Sequence, residues 1–339
     1  QAEVRYKENV FASQIGAVAP EAVVSIVGGS GLITHAVHNA KLRKARKELK
    51  EDEKKLCRLF VRLKRDYKIS LREIAMNFKL NREKVRKTFA DYTANYNAKD
   101  EKIKLKINHT YRVAGLCDRI ADSIGLVGED RDIAWLLGML HDVGRFEQIR
   151  RYHTFNDANS IDHAKLGADL LFNDGLMEEY VPGLLEQPER DLVELAIRQH
   201  NTYRLPETLT EREATFCKLI RDADKIDIFK VNIDTPMEEI YDVTTEEIKN
   251  GQITDEVLAA FDEEHCILKS IRKSAVDHLV GHISLAYELE FPISLKLAVD
   301  QGYIMQMMNF KSDNEKTNQQ MEHIRDHMKK YIERKIVYR

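Results

Sequence analysis

The sequence predicts an all-α protein, and three observations carry that expectation. Six prolines in 339 residues leave room for long uninterrupted helices. Apolar residues recur at three- and four-residue spacings over most of the chain, and no stretch sustains the two-residue alternation of a strand. Hydrophobic residues make up 43% and charged residues 32%, enough to build a core beneath a well-charged surface.

Residues 1–40 give the weakest pattern. Ala22 to Val27 reads as a short strand or a buried helical turn, ended by Gly28-Gly29-Ser30-Gly31. Without a G-K-[ST] or a complete G-x-G-x-x-G, this glycine run reads as a flexible turn rather than a phosphate loop. Lys41 to Asp66 reads as helix, with Leu49, Leu56, Leu59, Phe60 and Leu63 forming its apolar stripe. Ser70 and Glu73 make a capping box before a short helix carrying Leu71, Ile74, Ala75 and Phe78. Asn81 caps a second helix, with Val85 and Phe89 inward and Arg82, Lys84, Arg86 and Lys87 largely outward. This helix pair resembles a DNA-binding helix-turn-helix.

Asn95 to Asp100 is polar and marks the expected boundary between a basic N-terminal region, 1–100, and a helical domain, 101–339. In the second part, helices are expected near 104–124, 130–142, 162–173, 190–200, 211–230, 254–288, 293–309 and 315–336.

Residues 41–90 hold 19 Lys/Arg against 7 Asp/Glu, whereas the chain from residue 91 onward is acidic. The basic run is either a nucleic-acid-binding surface or a solvated helix face docking on the acidic part. Cys57, Cys117, Cys217 and Cys266 form no C-x-x-C pair, which fits a reducing compartment. No apolar run reaches the ~18–20 residues that span a bilayer, and no secretory signal pattern opens the chain. A cytoplasmic location is the expectation.

The chemistry-bearing residues lie in apolar helical settings. Ala134 to Leu140 is an apolar run that ends in His141-Asp142, followed by Val143 and by Gly144, which would permit a turn. A carboxylate beside a core costs several kcal/mol unless it is paired, and a divalent cation is an efficient partner. His109 precedes Val113, Leu116, Cys117 and Ile120 at helical spacing; His163 leads into Leu166-Gly167-Ala168; His200 ends the apolar stretch from Leu192; Asp222 and Asp224 flank Ala223. Ligands on separate helices are how a bundle builds an internal metal site. His35, His38, His153, His265, His278, His282, His323 and His327 have no evident ligand company.

From about residue 103 onward, these motifs resemble the HD-domain superfamily of metal-dependent phosphohydrolases. Its pattern is an early His, a His-Asp doublet and a late Asp after Ala, here His109, His141-Asp142 and Asp224. The resemblance implies a helical bundle, favours Asp224 over Asp222 as ligand, and implies that His163 and His200 complete a binuclear site. A mononuclear site would use His109, His141, Asp142 and Asp224; with His163 and His200, a second ion shares Asp142. Imidazole and carboxylate donors without thiolates suit Mn, Fe, Ni, Co or Zn, and suit Mg less well.

The activity implied is hydrolysis of a phosphate mono- or diester, foremost a nucleotide, by a metal-activated water. Asp142 and Arg145 are the expected catalytic residues. Arg145, Lys165, Arg204 and Lys225 are the candidates for substrate phosphate, and Tyr152, Phe155 and Tyr203 could stack on a base. Gly302-Tyr303 is followed by Ile304 rather than Pro, and Val143-Gly144-Arg145 follows the doublet with Glu147 as the only near acid. Both features lower the weight of the cyclic-dinucleotide and alarmone subgroups. The alternatives are a single-strand nuclease guided by residues 41–90, and a DNA-binding regulator that senses a nucleotide or metal.

Overall fold

A computed structural model describes residues 80–182 and 187–337, all within the second of the two units into which the chain divides, Asn77–Arg339. The segment at 22–31, the helix expected over 41–66 and the first helix of the helix-turn-helix resemblance lie outside the described residues. Among the described residues every regular element is helical.

Helix α1 (Arg82–Thr93) begins where the sequence places it, with the Asn81 side chain accepting from the Lys84 amide. Val85 and Phe89 are fully buried. Phe89 meets Tyr111 and Phe146 edge-on, at ring separations of 5.4 and 5.8 Å. Lys84 and Lys87 are exposed as expected, but Arg82 pairs with Asp118 and Asp132 at 2.6 and 2.8 Å. The helix therefore belongs to the helical unit. The two units divide between Met76 and Asn77 rather than at Asn95–Asp100, and among the described residues the partners of the apolar face of α1 and of the Arg82 charge lie in later helices of that unit.

Helices α2 (Glu101–Ser123) and α3 (Gly128–Leu140) form the central pair. They approach closely at Gly138, where a Cβ would lie 2.5 Å from the Ala114 Cα. Only His141 and Asp142 separate α3 from α4 (Val143–Tyr152). The sequence missed α4 because Gly144 reads as a turn. In the structure Gly144 lies inside the helix and allows contact with α5 (His163–Phe172): a Cβ there would meet the His163 carbonyl oxygen at 2.2 Å. After α6 (Leu176–Tyr180) come α7 (Gln187–Gln199) and α8 (Glu211–Asp234). Helix α8 opens on a Thr210–Glu213 capping box and packs against α2, α3 and α7.

The remainder comprises α9 (Met237–Tyr241), α10 (Thr245–Asn250), α11 (Asp255–Asp262), α12 (Ala275–Ile283), α13 (Pro292–Gln301), α14 (Tyr303–Met308) and α15 (Glu315–Val337). The single helix expected over 254–288 is thus broken. Asp277 draws the break together by accepting from the Thr254, Lys273 and Ser274 amides. The helix expected over 293–309 breaks at Gly302, whose φ of 75° ends α13 in the left-handed region. No helix among the described residues is long and apolar enough to cross a membrane.

Candidate metal centre

The ends of α3, α5 and α7 and the interiors of α2 and α8 bring His109, His141, Asp142, His163, His200 and Asp224 together. Nε2 of His109 lies 3.2 Å from Nε2 of His141, and Nε2 of His163 lies 3.0 Å from Nε2 of His200. Asp142 stands between the two pairs. Its Oδ2 faces His109 at 3.4 Å and His141 at 3.5 Å, and its Oδ1 faces His163 at 3.4 Å and His200 at 3.9 Å. Asp224 joins the first pair, with Oδ1 3.1 Å from His109 Nε2 and 3.8 Å from His141 Nε2. Two trios could each hold a metal ion, His109–His141–Asp142 and Asp142–His163–His200, and all five residues are buried.

The other ring nitrogen of each histidine is already engaged. Nδ1 of His109 is 2.7 Å from Asp227, that of His141 is 2.9 Å from the Gly138 carbonyl, that of His163 is 2.6 Å from Asp157, and that of His200 is 2.7 Å from the Ile197 carbonyl. A carbonyl or carboxylate can only accept, so each Nδ1 carries a proton, and each Nε2 points inward, where its lone pair is free for a metal once that nitrogen carries no proton. This is how supporting groups orient metal-binding imidazoles. Burial is the largest influence on His141 and His163 and holds them at about 4 and about 3, so both are neutral at pH 7. Four inward lone pairs with two carboxylates and no thiolate fit a first-row transition metal.

Asp222 has a different use. It accepts from the Glu290 and Phe291 amides ahead of α13, and burial lifts it to about 6. It anchors the backbone that leads into α13, whereas Asp224 faces His109 and His141.

Three residues of the centre escaped the sequence reading: Lys106, Asp227 and Asp157, which holds His163. Lys106 donates from Nζ to Asp142 Oδ2 at 2.6 Å, with both groups buried. It sits one turn before His109 on the face that also carries Ile103 and Val113, so a lysine on an apolar stripe was the available signal. Asp227, one turn after Asp224, holds both His109 and Arg112, with Arg112 Nε at 2.6 Å.

The expected phosphate-binding residues are dispersed. Arg145 reaches the centre: its Nε is 3.7 Å from Asp142 Oδ1, and one terminal nitrogen donates to Asp157, Gln148 and the Phe155 carbonyl. Lys165 is exposed and pairs with Asp162 at 3.2 Å. Arg204 lies over the Tyr203 ring, and Lys225 donates to the Glu288 carbonyl. The structure does not bring these three together with Arg145. Tyr152 is exposed and Tyr203 donates to the Cys266 carbonyl, whereas the Phe155 ring lies 5.4 Å from Lys106 Nζ. Glu147 is held by Tyr96, Arg150 and Arg151.

Some histidines set aside by the sequence reading do have company. His323 and His327 converge on Asp262 at 2.7 and 2.8 Å, on the exposed side of α15. They stand one turn apart, and their partner is distant in sequence.

Residues 107–229 match the family model described as HD domain. No curated protein and no solved structure matches the chain. The matched residues carry both histidine pairs, Asp142 and Asp224, and the match is consistent with the HD-domain superfamily of metal-dependent phosphohydrolases.

Proposed function

We propose that the protein is a binuclear metal-dependent phosphohydrolase acting on phosphate esters of nucleotides. The observation that carries this reading is the division of Asp142, one oxygen toward His109 and His141 and the other toward His163 and His200. Ions held by the two trios would supply Lewis acidity, polarising a phosphoryl oxygen and lowering the pKa of a water toward ~7.

The chain's own groups do the rest. Asp224 adds a second carboxylate to the first trio. Lys106 and Arg145 place positive charge on opposite oxygens of Asp142, where they can also meet the oxygens of a phosphoryl group. Asp157 orders both His163 and Arg145, so ligand and cation are held by one carboxylate. Asp227 fixes the His109 ring from outside.

The test is elemental analysis of protein purified without chelator, followed by assays on 4-nitrophenyl phosphate, nucleoside phosphates, and single-stranded DNA and RNA. Near two ions per chain are expected, falling to one in His200→Ala and to none in Asp142→Ala, with hydrolysis lost in Asp142→Ala. A protein that recovers no metal from Mn²⁺, Fe²⁺ or Ni²⁺ would overturn the reading.

A further inference from the structure

A cavity of about 250 Å³ lies behind Phe155. Phe155 is its shared wall with the metal centre, since the ring also stands 5.4 Å from Lys106 Nζ and 5.8 Å from the Arg145 guanidinium carbon. Lys269, Arg272, His278 and His282 line the cavity together, brought there by the turn before α12 and by α12 itself.

We propose that this cavity receives a second anionic group of the substrate, a phosphate remote from the bond being broken, so that the substrates are oligophosphates rather than monophosphates. The proposal rests on the hydrolase reading above.

The basic groups are not neutralised from within. Among the described residues no carboxylate forms an ion pair with Lys269 or Arg272. Arg272 is pinned by the carbonyls of Ile267 and Gly281, and a Cβ at Gly281 would meet its guanidinium carbon at 2.2 Å. Its Nε is buried without a hydrogen-bond partner. Asp277, the carboxylate that acts on Arg272, is occupied by the backbone amides of Thr254, Lys273 and Ser274. Glu239, in α9, and Asp242, its C-cap, also line the cavity, and neither forms an ion pair with Lys269 or Arg272.

Burial lowers the proton affinity of Lys269, Arg272, His278 and His282, and Arg272 and Lys269 lower that of the two histidines further. Lys269 and Arg272 face the same cavity as cations with no ion-paired carboxylate among the described residues, and an incoming anion relieves that juxtaposition. On Lys269 the leading outside charges are Asp157 and Arg145, both residues of the metal centre. The volume also limits the occupant. Sites for whole small molecules run to roughly 300–1,000 Å³, so this space suits a phosphate group and not a complete nucleotide.

The experiment is calorimetric titration of the metal-loaded full chain, at fixed Mn²⁺, with methylenediphosphonate and with methylphosphonate. Neither probe can be hydrolysed at phosphorus. The wild type is expected to bind the bisphosphonate about tenfold or more tightly than the monophosphonate, and Lys269→Ala to lose most of that advantage. Metal content and melting temperature of the variant show that the fold and the centre persist. Equal affinity for the two probes, or a Lys269→Ala protein that binds the bisphosphonate as tightly as wild type, overturns the proposal. Because binding is read without turnover, a wild type that discriminates the probes through Lys269 but hydrolyses no ester sinks only the hydrolase reading.

Discussion

Lys106 Nζ stands 2.6 Å from Oδ2 of Asp142, on the same oxygen that faces His109 and His141. An ammonium in that position shares the bridging carboxylate and lies beside the space where a phosphoryl oxygen would come. Removing one pre-positioned donor of this kind costs about 10²–10³ in turnover. Lys106→Met is therefore expected to lower kcat by about that factor while both ions remain, since four imidazoles and two carboxylates are untouched. Steady-state kinetics paired with elemental analysis decides the matter. Loss of metal in place of loss of kcat would make Lys106 a structural counter-ion.

Asp227 acts one step further out. It accepts from His109 Nδ1 at 2.7 Å and from Arg112 through both of its oxygens. Asparagine there would keep the shape and lose the charge that makes His109 a better donor. Such partners are worth about 10–100-fold in metal affinity. Asp227→Asn is expected to weaken one of the two ions by that amount, seen as an early release of one equivalent during chelator titration. Unchanged release of both ions would contradict the assignment.

The centre was legible in the sequence where apolar periodicity surrounds a ligand. His141 after a run of buried residues, and His109 and His200 on apolar stripes, stand out because burial of such groups demands a partner. Lys106 and Asp227 did not stand out, although they lie on the same faces of α2 and α8, because each is embedded among other charged residues and their pairing partners are 36 and 118 residues away. Helix α4 was hidden for a different reason. Glycine suggests a turn locally, whereas Gly144 serves a contact with α5 that only the tertiary structure reveals. The break within 254–288 has the same origin, since Asp277 caps backbone amides from Thr254 as well as its own turn.

His109 faces three carboxylates, Asp142, Asp224 and Asp227. Burial and then Lys106 oppose its charged form, but the three hydrogen bonds outweigh them and raise it to about 10. Without metal, His109 is therefore an imidazolium at neutral pH. The sign follows from the raised value: this stabilisation is complete below the ordinary 6.5 and is lost as pH rises through about 10. A metal takes only the neutral ring, so its uptake displaces the proton. Adding Mn²⁺ to metal-free protein in weakly buffered solution at pH 7.5 is expected to release about one proton through His109. A pH-indicator titration with no proton release would contradict this charge state.

Gly144 is the tightest packing point near the second trio. A Cβ there would sit 2.2 Å from the His163 carbonyl oxygen and 2.6 Å from the Gly167 amide nitrogen, both backbone atoms of α5. Backbone cannot yield as a side-chain tip does, so Gly144→Ala must push α4 and α5 apart. Overpacking of this kind costs about 1–3 kcal/mol, and the displaced element carries His163. His109 and Asp224 lie on α2 and α8, which take no part in the contact. The variant is therefore expected to melt at a lower temperature and to retain one ion of two, with loss concentrated in the trio that contains His163. Thermal melts and elemental analysis read both effects. Equal loss of both ions at an unchanged melting temperature would mean that Gly144 reaches Asp142 directly and not through α5.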